Sequence, residues 1–175
     1  LAGRIASASP DIDSHTHGVS GSSTPKDLET ALQLVYLTFT APGLTDEGFG
    51  LLQRRFGAML ENQRQSPRYL FGEKVRELTT SGHYSSKSLT AADVQALDLQ
   101  VMRRDYAARF GNAADFTFFM VGAFDEATVV PMVEQWLASL PSTGPRRTTF
   151  RDMGMQFPKA IERAETVKAS EKHMP

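Results

Sequence analysis

The stretch Phe110-Gly111-Asn112-Ala113-Ala114-Asp115-Phe116-Thr117-Phe118-Phe119-Met120-Val121-Gly122-Ala123-Phe124-Asp125, running on to Trp136-Leu137-Ala138-Ser139-Leu140-Pro141, decides how this chain is read. Phe116 to Val121 is a short aromatic and β-favouring run. It is too apolar on both sides for a half-exposed edge, so it predicts an interior strand. Gly111-Asn112 ends the helix before it, and Gly122 lets the backbone turn sharply after it. Asp125 then caps a helix whose inward residues are Val129, Met132, Val133, Trp136, Leu137 and Leu140, with Pro131 removing one of its early hydrogen bonds.

Upstream, residues 4 to 22 alternate small or apolar with polar residues around Ser9-Pro10-Asp11, which predicts two short strands joined at that turn-forming cluster. Thr24-Pro25-Lys26-Asp27 supplies a cap, a first-turn proline and an acid. A helix follows whose inward face is Leu28, Ala31, Leu32, Val35 and Phe39, stopped by Pro42-Gly43. Thr45 or Asp46 caps a second helix with the stripe Phe49, Leu52, Phe56, Met59 and Leu60. Ser66-Pro67 opens a third through Leu70, Phe71, Val75 and Leu78. Thr79 to Leu89 reads as a loop. The capping box at Thr90-Ala91-Ala92-Asp93 opens a helix expected to run through Val94, Leu97 and Val101 to Phe110. Ser142 to Met155 is a polar connection, and alternation from Ile161 to Ser170 predicts a last strand. Few strands and a majority of helix, segregated rather than strictly alternating, indicate an α+β two-layer sandwich.

With 175 residues, 41% hydrophobic and 22% charged, one ordinary core is expected. The formal net charge of -1 gives no general attraction to nucleic acid or to a membrane surface, and neither is expected as a partner. The basic pairs Arg54-Arg55, Arg103-Arg104 and Arg146-Arg147 are scattered, with no stripe. Cysteine is absent, which excludes disulfides, thiolate catalysis and Cys-ligated zinc. No run reaches the ~20 apolar residues of a membrane span, so a soluble protein is expected. The opening on Leu1 rather than methionine reads as a piece of something larger. The compartment is left open, with periplasmic or other export compatible.

Chemistry has few places to live. The histidines are His15, His17, His83 and His173, and none stands in a His-x-x-Glu-His arrangement. His15 and His17, two apart on an expected strand, point to one side. No third ligand is evident, and half-exposed strand residues are the plain account. Gly18-Val19-Ser20-Gly21 lacks the spacing of a nucleophile elbow or a phosphate cradle. Asp46-Glu47 and Asp125-Glu126 sit at helix starts, where capping explains them. Asp115 stands at a strand entrance, and Tyr36 and Tyr106 read as core. No catalytic and no metal-ligating residue is assigned, and substrate-binding residues are left unknown.

The segments Gly18-Val19-Ser20-Gly21, Asp27-Leu28-Glu29-Thr30, Phe39-Thr40-Ala41-Pro42, Leu60-Glu61-Asn62, Ser66-Pro67, Leu97-Asp98, Arg109-Phe110-Gly111-Asn112-Ala113 and Leu137-Ala138-Ser139-Leu140-Pro141 occur in an order that resembles the M16 zinc peptidases, the insulinase and pitrilysin type. The resemblance covers roughly residues 2 to 155. It implies a LuxS/MPP-like metallohydrolase fold, a mostly antiparallel sheet packed on helices, truncated at its N-terminus by about 70 residues against typical domain lengths. It implies residues 1–155 as the partial domain and 156–175 as a final strand and the start of a linker. The likeness is greatest to the non-catalytic domain opening the second half of such enzymes. Asn62 then stands where an active domain has its ligand glutamate, and an amide is a poor zinc ligand. The implied role is a chamber wall enclosing peptide substrate together with the catalytic half of the parent chain. Zinc is held by another domain and none by this one, with hydrolysis by zinc-bound water. The alternative is a catalytically dead scaffold or assembly partner. A missing first strand implies self-association of the isolated piece.

Overall fold

The computed structural model describes residues 3–13, 16–147 and 149–165. The chain is α+β, with one two-stranded antiparallel sheet and six α-helices among the described residues. It divides into two compact units, Leu1–Leu44 with Leu99–Thr149, and Thr45–Asp98 with Phe150–Pro175.

The first unit opens with β1 (Ala6–Ile12) and β2 (His17–Ser23), paired from Ala6 opposite Ser23 to Ile12 opposite His17. The hairpin is present, but its turn is not at Ser9-Pro10-Asp11. Pro10 lies inside β1 opposite Val19, and the chain reverses after Asp13, whose backbone N–H donates to the Thr16 carbonyl (2.9 Å) while its carboxylate accepts from the Thr16 N–H (2.7 Å). Proline is tolerated in a two-stranded ribbon because a missing donor on an outer edge breaks no ladder bond. Gly21 has a specific reason to lack a side chain, since a Cβ there would stand 2.4 Å from the Ser7 carbonyl oxygen.

Asp27 fastens this hairpin to the first helix. Its buried carboxylate accepts from the Ile5 N–H (3.0 Å) and the Thr24 hydroxyl (2.9 Å). Those two bonds, reinforced by Arg4 and Lys26, hold it below the ordinary carboxylate range. A single 3-10 turn, Pro25–Asp27, leads into α1 (Leu28–Thr40), which buries Ala31, Leu32 and Phe39 as its periodicity predicts. The core of the unit is Phe39, Phe110 and Leu140, with Val19, Val35, Tyr36, Tyr106 and Phe116 packed on it. Its rings meet edge-on or stacked, Phe39 to Phe116 at 4.8 Å and Tyr106 to Phe110 at 4.5 Å. The Tyr106 hydroxyl donates to the Thr38 carbonyl (2.7 Å), and burial raises its pKa.

In the second unit the side chains of Thr45 and Ser66 cap α2 (Asp46–Gln63) and α3 (Pro67–Thr79), and both halves of the Thr90–Asp93 capping box form ahead of α4 (Ala91–Gln95). The helix predicted to continue to Phe110 is interrupted at Ala96–Asp98. The Gln53 amide from α2 donates to the carbonyls of Val94, Gln95 and Leu97 (3.1, 3.3 and 3.4 Å), capturing acceptors that a continuing helix would use itself. A separate helix, α5 (Leu99–Phe110), then begins. The stripe expected to bury α2 is also largely open: Leu60 is buried, whereas Leu52, Phe56 and Met59 are each more than 40% exposed.

The largest departure is at Phe116–Val121, which forms no strand. Phe116 packs into the core, but Phe119 is 86% and Val121 99% exposed. The backbone of Thr117–Ala123 makes no hydrogen bond with any described residue. A strand exists only by pairing, and none of the described residues pairs with it. The Asp125 side chain then caps α6 (Glu126–Trp136), as expected. The final strand expected at 161–170 is absent from the described residues 161–165, and 166–170 lie outside them.

Candidate functional site

Three pieces of the first unit frame a groove of about 700 Å³. Its floor is the apolar face of α1, Leu28, Ala31, Leu32 and Val35. One wall is β2, where Gly18, Val19, Gly21 and Ser22 all line the space. The opposite wall is the continuous run from Asp115 to Phe124. Successive residues of a strand point to opposite faces. Gly18 and Gly21 carry no side chain, so β2 lines the groove there with backbone.

Two charged groups at its rim have different fates. Asp115 is held by Arg147, accepting from its backbone N–H (2.6 Å) and its Nε (2.8 Å) and pairing with its Nη2 at 2.7 Å, while Nη2 donates to the Ala108 carbonyl (2.8 Å). Those bonds keep the Asp115 carboxyl below its ordinary value. Arg146, one residue earlier, lines the groove and makes no ion pair with any described residue. The sequence showed Arg146-Arg147 as a pair of like charges. The Asp115 that separates their roles is 32 residues from Arg147 in the chain.

The histidines are placed structurally. His17 stands edge-on to Phe110 (5.6 Å) and Phe116 (5.3 Å), and its Nε2 lies 3.1 Å from the Arg109 carbonyl, to which it donates. His83, in the other unit, has Nε2 donating to the Met153 carbonyl (2.8 Å), which leaves Nδ1 to accept from Ser85 (2.8 Å to Oγ). His15 and His173 lie outside the described residues, so the His15–His17 pair is not defined. Asn62 sits exposed near the end of α2. Asp46 and Glu47 occupy the first turn of α2, and Gly18 and Gly21 lie within β2. Among the described residues no three of His, Asp and Glu come together. A zinc site needs at least three such donors, so these residues do not fit the ion. No helix among them is long and apolar enough to cross a membrane.

The missed feature is the groove itself. Its signal was present in the two-sided apolarity of Phe116–Val121, which indicated strand neighbours without saying whether this chain supplies them.

No family model matches the chain. Over 116 residues, 66% of its length, it is 27% identical to an Arabidopsis thaliana protein named zinc protease PQQL-like. The matched stretch spans 12% of that relative. The similarity is distant and partial.

Proposed function

We propose that this chain is a non-catalytic, peptide-enclosing domain of an M16-type zinc metallopeptidase, with the metal and its activating carboxylate supplied by another domain of the parent protein. The observation that carries the reading is the 116-residue similarity to a protein named as a zinc protease, in a stretch whose described residues gather no ligand set. The fold is proposed as the LuxS/MPP-like type lacking its opening strand, with residues 1–155 as the partial domain and 156–175 leading towards the next. Uncovered apolar residues such as Phe56 on α2 and Phe71 on α3 support self-association of the isolated chain.

Hydrolysis of a quenched fluorescent peptide tests the reading. The 175-residue chain with added zinc is expected to be inactive, whereas the complete parent protein is active and loses activity to a chelator. Activity in the 175-residue chain contradicts the proposal. An inactive parent protein also contradicts it and favours a scaffold or assembly role.

A further inference from the structure

No further inference is drawn: the strongest candidate, the surface cluster of the second unit in which His83 and Tyr84 hold the Met153 carbonyl (2.8 Å) and sulfur (3.7 Å), explains how that segment is fastened, and nothing in the structure shows what would bind it or release it.

Discussion

Phe110 and Val121 stand eleven positions apart in the chain, yet Phe110 is fully buried and Val121 is 99% exposed. Their hydrophobicity does not distinguish them; their neighbours do. Phe110 ends α5 amid Phe39, Tyr106, Phe116 and His17, with aromatic partners from elements on several sides. Val121 follows a segment that pairs with no strand among the described residues. Burial in this unit is therefore a property of completed layers. The residues that lack it mark where a layer is unfinished.

The comparison is tested most severely by truncating each end. Phe110→Ala should cost about 3–5 kcal/mol by cavity formation in the core, whereas Phe119→Ser should change stability by no more than about 0.5 kcal/mol. Urea denaturation followed by circular dichroism gives both values. A large loss for Phe119→Ser would mean that the open end is packed after all.

A smaller effect is expected in the second unit. Thr90→Ala, which removes one half of the capping box of α4, should cost about 1 kcal/mol, read by the same urea denaturation. Acid titration sharpens the rim further. Because its bonds to Arg147 lower the pKa of folded Asp115, the stabilisation is fully present above the ordinary value of 3.8 and is lost as pH falls through the lower folded value. Asp115→Asn should therefore be less stable than the parent chain at neutral pH, and the gap should close in acid. A gap that persists unchanged in acid would show that the carboxylate charge is not what holds Arg147.

What the sequence disclosed divides along the same line. Caps at Thr45, Ser66, Thr90 and Asp125 are local devices, complete within four residues, and they form where the sequence places them. The α1 face is legible because a 3.6-residue period needs no distant information. The break at Ala96 depends on Gln53, more than forty residues earlier in the chain, and no local pattern announces it. Pro10 signals a turn by type, but it pairs with Val19 inside β1 and the pairing runs on to Ile12 opposite His17, because strand register decides. At the groove, apolarity predicted a strand at Phe116–Val121, and none forms there. It could not supply the partner on which a strand depends.

Amide hydrogen exchange on the free 175-residue chain tests the central claim that the segment from Phe110 to Val121 is packed at its start and open at its end. Slow exchange is predicted through the last turn of α5 at Ala107–Phe110, with near-random-coil rates at Thr117–Val121. Strong protection at Thr117–Val121 in the monomer would contradict the account, because those amides would then already have hydrogen-bond partners.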